Sequence, residues 1–174
     1  MDRSDLERFE REIMPHLDGA YSLARLLSRN DHDAEDIVQD ALLKALRFIA
    51  SFQGINARGW LLSIVRNTAY SRLRAAGAKE LLMDDDLADA ADPHLSPPIE
   101  TLIAEEQRQL VRTMLDRLPI PMREVLLLRE VEDLSYKAIS EIIQAPIGTV
   151  MSRLGRARER LSVLLSQAAK EPIP

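Results

Sequence analysis

Between Ala75 and Pro98 the chain stops offering what a protein core could use. The stretch holds Gly77, the run Asp84-Asp85-Asp86, and Pro93, Pro97 and Pro98, and it sustains no apolar face at helical spacing. From Ala75 to Glu106 one basic residue stands against nine acidic ones. A chain of 174 residues interrupted in this way reads as two small units on a tether rather than one continuous core. The expected boundaries are 1–74 for the first unit, 75–98 for an acidic flexible linker and 99–170 for the second unit.

Composition narrows what the units can be. Aromatic residues make up 4 % of the chain and there are six glycines, which disfavours a β-sandwich or barrel. Ala, Leu, Arg, Glu and Asp dominate, which favours helix. No cysteine is present, so neither a disulfide framework nor a thiolate metal site can form. No apolar run is long enough for a membrane span, and charge begins at Asp2, so neither a span nor a signal peptide is expected. A cytoplasmic location follows as the default. The net charge of −5 resides in the middle of the chain, because the residues after Glu106 carry 11 basic against 8 acidic groups. An acidic whole therefore does not exclude nucleic-acid binding by basic residues grouped elsewhere.

Periodicity predicts an all-α fold. A helix is expected over much of Asp5 to Leu27, broken or kinked at Pro15. Arg29 to Asp33 reads as a turn, and a second helix runs from Ala34 to Ile49 with Asp33 as its cap. After the loop Ser51–Asn56, Asn56 caps a third helix reaching Arg74. Beyond the linker, helices are expected over Ile99–Arg117, Met122–Glu132, a short segment after Ser135 to Ile143, and a last one from Pro146, as first helical residue, to about Gln167. The segment Leu118-Pro119-Ile120-Pro121 reads as a break. No strand pattern or long repeat is visible.

Two of these helices carry functional signals. A short helix, a turn Gln144-Ala145-Pro146-Ile147 and a longer helix make helix-turn-helix geometry. In the longer helix Ile147, Val150, Leu154, Ala157, Leu161 and Leu164 form one apolar stripe. Thr149, Ser152, Arg153, Arg156 and Arg160 lie opposite, where hydroxyls and guanidiniums suit base edges and phosphates in a major groove. A solvated Arg-rich face would look the same in isolation; the preceding short helix and turn favour DNA. In the third helix Leu61, Ile64, Val65, Ala69 and Leu73 can face a core. Ser63, Arg66, Asn67, Tyr70 and Arg74 share another face, and Arg58 to Arg74 contains no acidic residue. Arg for phosphate, Asn for a base edge and Tyr for stacking suit opened or bent DNA. Trp60 reads as core. Enzymatic patterns are weak: His16, His32 and His94 are scattered, the acidic groups at His32–Asp36 and Asp84–Asp86 read as a helix start and a solvated linker, and no phosphate-binding or nucleophile motif occurs. No cofactor and no metal are expected.

The chain resembles the extracytoplasmic-function sigma factors of the sigma-70 family. Three segments carry the resemblance: Ala34–Ala45, containing Glu35-Asp36-Ile37-Val38-Gln39-Asp40; Ala57–Arg74, beginning Ala57-Arg58-Gly59-Trp60-Leu61-Leu62; and the set Leu118-Pro119, Arg123-Glu124-Val125, Leu134–Ile139 and Ile147–Arg158. Their order along residues 5 to 165 is what makes the match specific. The departures are Ser71 and Ala138, where acidic residues are common, and Gly155 inside the recognition helix. The resemblance implies a non-enzymatic transcription initiation factor. It implies binding of core RNA polymerase through Glu35, Asp36, Gln39 and Asp40. It assigns the promoter −10 element to Phe52, Asn56, Arg58, Arg66, Asn67, Tyr70 and Arg74, with an unpaired base held in the loop Phe52–Asn56. It assigns the −35 element to Thr149, Ser152, Arg153, Arg156 and Arg160. It also implies an anti-sigma partner. The competing readings are a stand-alone helix-turn-helix regulator that needs no polymerase, which the second motif in the first half disfavours, and an all-helical enzyme with a carboxylate metal site, which a metal-binding titration would decide. The linker can permit, but not impose, a separation of roughly 70 Å between promoter elements, since as a coil it averages about 27 Å. The free units are therefore expected to sit closer together than promoter spacing.

Overall fold

A computed structural model describes residues 3–77 and 105–168, with side chains given from Arg108 in the second stretch. The expectations for Ala78 to Ala104, which include most of the linker and the acidic run, lie outside the described residues, as does the tail from Ala169. Among the described residues every regular element is helical.

The first unit contains α1 (Arg3–Glu12), α2 (Leu17–Ser28), α3 (Asp31–Phe48) and α4 (Ala57–Ala75). Pro15 sits in a single 3-10 turn, Met14–His16, that separates α1 from α2. It therefore breaks the predicted first helix where proline removes a backbone donor. The second helix starts earlier than its sequence suggests. Asn30, in extended conformation, accepts a hydrogen bond from the amide of Asp33 and caps α3. The polar run Asp31-His32-Asp33 is thus the first helical turn, where acidic side chains oppose the helix dipole, and Asp33 is not the cap. α2, α3 and α4 pack together around Leu23, Leu27, Ile37, Ala41, Leu61, Leu62 and Val65, all buried.

The second unit contains α5 (Glu105–Asp116), α6 (Ile120–Leu126), α7 (Tyr136–Ile143) and α8 (Ile147–Ala168). The segment Leu118–Pro121 is less of a break than expected. Pro119 caps α6 and Pro121 lies in its first turn, where a missing N–H removes no helical bond. The helix expected to reach Glu132 instead widens after Leu126 into one π-helical turn, Leu127–Val131, closed by the Glu132 amide on the Leu127 carbonyl at 3.0 Å. Asp133 follows at φ +47° and turns the chain toward α7. The core here is Val125, Leu128, Ile139, Ile142, Val150, Leu154 and Ala157.

The two units touch. α4 packs on α7, and α2 on α6, and the buried apolar cluster runs through both units. Among the described residues no helix is long and apolar enough to cross a membrane.

Candidate nucleic-acid interface

The helix-turn-helix is fixed by local hydrogen bonds. Ser135 caps α7 by accepting from the amide of Ala138 at 3.1 Å, so one half of a capping box forms without its acidic partner. Gln144 ends α7 in the left-handed region at φ 55°. The Ser140 hydroxyl donates to the Ala145 carbonyl at 2.6 Å and holds the turn. The Pro146 carbonyl accepts from Val150, so Pro146 precedes the first turn of α8 rather than standing inside it.

Within α8 the expected stripe is buried at Val150, Leu154, Ala157 and Leu161. Leu164 is half-buried. Ile147 is the exception: at 44 % exposed it stands at the helix tip, beyond the reach of the core. On the other side Thr149, Ser152, Arg153 and Arg156 are half-exposed and Arg160 is exposed. The Arg156 Nε lies 3.4 Å from the Ser152 carbonyl, which steers its head group along the helix surface. Arg158 is tied by Nε to Glu130 at 3.0 Å, anchoring α8 to the π turn. Gly155 is exposed, and a Cβ added there would meet nothing within 4 Å. Gly155→Ala is therefore expected to stabilise the second unit by about 1 kcal/mol, from helix propensity alone, read as a rise in thermal midpoint.

The α4 surface is less open than its sequence suggests. Asn56 stands at φ 55° and caps α4 by accepting from the Gly59 amide at 2.9 Å. A Cβ on Gly59 would run into the Asn56 side chain, so the pair is sterically matched. Asn56→Ala is expected to cost about 1 kcal/mol of stability through loss of the cap, measurable by denaturant unfolding. The Phe52 ring is buried, stacked on Trp60 with centroids 4.8 Å apart, and the Arg8 guanidinium lies 5.3 Å from its centre. In this arrangement Phe52 builds the loop rather than presenting a ring to a base. Trp60 is half-buried against the core, as expected. Asn67 and Arg74 are exposed.

Arg66, Tyr70 and Arg58 instead meet carboxylates of the second unit. Arg66 Nε donates to Glu124 Oε1 at 2.6 Å, and the Tyr70 hydroxyl donates to Glu124 Oε2 at 3.0 Å. The Arg66 guanidinium lies 4.2 Å from the Tyr70 ring centre. Glu124 is wholly buried. Burial raises its proton affinity above the ordinary carboxylate value, and the charges of Arg66 and nearby Arg153 and the hydrogen bonds of Arg66 and Tyr70 pull the other way. Burial and the facing carboxylate also raise the Tyr70 phenol, so it remains a neutral donor. Arg58 Nε donates to Glu132 at 3.0 Å. A Cβ on Gly19 of α2 would lie 2.7 Å from Glu132 Oε2, so the bare glycine makes room for that carboxylate. Arg123, also wholly buried, donates to the Leu26 carbonyl near the C-terminus of α2 at 3.1 Å, where a cation suits the helix dipole.

On α3, Glu35 and Gln39 are exposed and Asp36 and Asp40 half-exposed. Both aspartates already face Arg72 of α4, at 3.4 Å for Asp36 and 2.6 Å for Asp40, and Asp40 above all raises the Arg72 proton affinity. Sequence reasoning missed Arg72, Glu124 and Glu132. Only Glu124 left a local trace: the charged pair Arg123-Glu124 stands between apolar Met122 and Val125-Leu126 on a helix, which is unlike a solvated position.

The region 2 profile of sigma-70 proteins matches residues 13–79, and the profile of sigma-70 region 4 matches residues 108–161. The chain is 37 % identical over 151 residues to the ECF RNA polymerase sigma-E factor of Escherichia coli strain K12, covering 81 % of this chain and 79 % of that one. It is 37 % identical over 147 residues to the corresponding factor of Haemophilus influenzae, covering 80 % and 77 %. Among solved structures it resembles the sigma factor RpoE, in complex with the anti-sigma factor NepR, from Bartonella quintana. That likeness has a TM-score of 0.72 at 33 % identity and covers 91 % of this chain and 96 % of the other. The fold is also that of CnrH in complex with the cytosolic domain of CnrY, with a TM-score of 0.63 at 23 % identity.

Proposed function

The chain belongs to the sigma-70 family, in its extracytoplasmic-function group, and from that premise we propose a division of labour between its two units. It is a transcription initiation factor that binds core RNA polymerase and directs it to particular promoters. The observation that carries this is the co-occurrence, in order, of a region 2 unit and a region 4 unit, each with a polar or basic helix face set against a buried apolar one. A stand-alone regulator would have no use for the first of these.

In our reading α8 lies in the −35 major groove, with Ser152, Arg153 and Arg156 at base edges or phosphates and Thr149 and Arg160 beside them. Arg58, Arg66, Asn67, Tyr70 and Arg74 of α4 bind the −10 element, where guanidiniums meet phosphates and Tyr70 offers a stacking face. The Phe52–Asn56 loop supports that surface, with Asn56 holding the start of α4. The exposed edge of α3, Glu35, Asp36, Gln39 and Asp40, meets the polymerase. The chain does no chemistry itself; bond formation belongs to the polymerase. It works in the cytoplasm, with its promoter, and an anti-sigma protein restrains it, as the NepR and CnrY complexes of its structural relatives suggest.

Replacing both Asp36 and Asp40 with Arg tests the α3 assignment. The two share a helix face, and reversal would set four positive side chains against a basic partner surface once Arg72 and Lys44 are counted. Affinity for core polymerase is expected to fall at least tenfold, measured by titration, while circular dichroism stays that of the native chain. Normal affinity would place the contact elsewhere.

A further inference from the structure

We propose that Arg8 of α1 is a positioning residue for base selection at the −10 element: its guanidinium holds the Phe52–Asn56 loop in the shape that accepts an unpaired base. The proposal rests on the reading of that loop as the place where such a base is held.

α1 is fastened to the first unit by Phe9, and by Ile13 just beyond its end, both buried. Arg8, next to Phe9, turns to the start of the loop. Its Nη2 donates to the Phe52 carbonyl at 2.5 Å and its Nη1 to the Ile49 carbonyl at 3.4 Å. The Ile49 carbonyl also accepts from the Phe52 amide at 3.1 Å, closing the 3-10 turn Ile49–Ser51 that leads into the loop. The guanidinium carbon is 5.3 Å from the centre of the Phe52 ring, and that ring is stacked on Trp60 of α4. A Cβ on Gly54 would lie 3.7 Å from Arg8 Nη2, so the head group reaches the middle of the loop as well. The far end is fixed by the Asn56 cap on the Gly59 amide. Between these two anchors Gln53, Gly54 and Ile55 are exposed, Ile55 at 78 %.

A charged donor bonds a carbonyl more strongly than a neutral one, and the guanidinium fork spans two acceptors at once. The backbone so held is a demanding one, with Gly54 at φ +76° and Asn56 at φ +55°. A loop released from this grip must be ordered each time a base enters, at the expense of binding. Arg8 itself is half-buried, with Nε 3.4 Å from Glu12, and is placed to shape the loop rather than to touch DNA. It also lies ahead of residues 13–79, which match the region 2 profile.

Holoenzyme reconstituted with Arg8→Ala tests this by fluorescence anisotropy with the non-template −10 strand of a promoter mapped by run-off transcription. Each −10 position is varied through the four bases and an abasic sugar. At the position where the original holoenzyme discriminates most, affinity for the best base divided by affinity for the abasic strand measures what the loop adds. Affinity for the abasic strand alone measures the backbone contacts of α4. Arg8→Ala should cut the ratio at least fivefold and leave abasic-strand affinity, core polymerase affinity and circular dichroism unchanged. Arg8→Met keeps the apolar stem and the helix propensity but no donor. It should match Arg8→Ala, and it decides the matter if Arg8→Ala fails to fold. An undiminished ratio in the folded variants would overturn the proposal. So would an equal loss of affinity for base-bearing and abasic strands, which would make Arg8 a support of the fold as a whole. An original holoenzyme that binds no base more tightly than the abasic sugar would sink the loop assignment itself, and the proposal with it.

Discussion

Replacing Arg156 with Glu is expected to abolish most −35-dependent transcription while leaving the bond to polymerase intact. Arg156 stands half-exposed on the side of α8 opposite Val150, Leu154 and Ala157, with its head group lying along the helix toward Ser152. That position is on the N-terminal half of the helix, which in this motif enters the major groove. A lost bidentate contact to a base costs about 1–3 kcal/mol, and a carboxylate facing phosphates adds repulsion. Promoter binding by the holoenzyme should therefore fall by about tenfold to a hundredfold, read as the concentration of holoenzyme giving half-maximal run-off product. Affinity for core polymerase, measured in parallel, should not move, because the proposed contact is on α3 of the other unit. Equal loss of both would indicate unfolding, and unchanged promoter binding would remove Arg156 from the surface.

Leu154→Ala should have the largest effect on stability. Leu154 is 1 % exposed and sits mid-way along the buried stripe of α8, the face the helix-turn-helix needs in order to hold its angle. Truncating a leucine so enclosed removes its transfer free energy and leaves a cavity, together about 2–5 kcal/mol. Small units carry stability of the same order, so the second unit should populate unfolded forms near physiological temperature. The first unit has its own core around Leu23, Leu61, Leu62 and Val65 and should survive. Hydrogen exchange would then show lost protection in α6 to α8 and retained protection in α2 and α3. Uniform loss across both units would mean that they unfold as one.

Much of this architecture is legible in the sequence because its signals are local. Asn56 before an apolar run, Ser135 before Tyr136, and the 3-4 spacing of Val150, Leu154, Ala157 and Leu161 each specify an element through neighbours in the chain. Errors arise where one residue type serves two conformations. Asp31-His32-Asp33 suits a turn and a first helical turn alike, and Asn30 decides between them only through its extended backbone. Pro119 and Pro121 suit a loop and a helix start alike. The π turn at Leu127–Val131 adds one residue to a helical circuit, a change too small for periodicity to reveal.

The candidate site divides along the same line. The polar face of α8 follows from its own spacing and is where the sequence puts it. The α4 face is also where expected, but its condition is not. Arg66 and Glu124 are separated by 58 positions in the chain, and no local pattern says that a carboxylate from one unit will close over a guanidinium of the other. Likewise the resemblance assigns Phe52 to the −10 element, and nothing local in the sequence says that its ring stacks on Trp60 with Arg8 beside it.

This chain confers promoter recognition on an RNA polymerase. Purified protein should be mixed with core polymerase from a related bacterium, passed through gel filtration, and the complex assayed by run-off transcription on a library of upstream DNA fragments. Co-elution is expected, with defined start sites on a subset of fragments and none from core polymerase or the protein alone. A protein that elutes apart from core polymerase, or that binds particular fragments as tightly without it and starts no transcript with it, would not be an initiation factor.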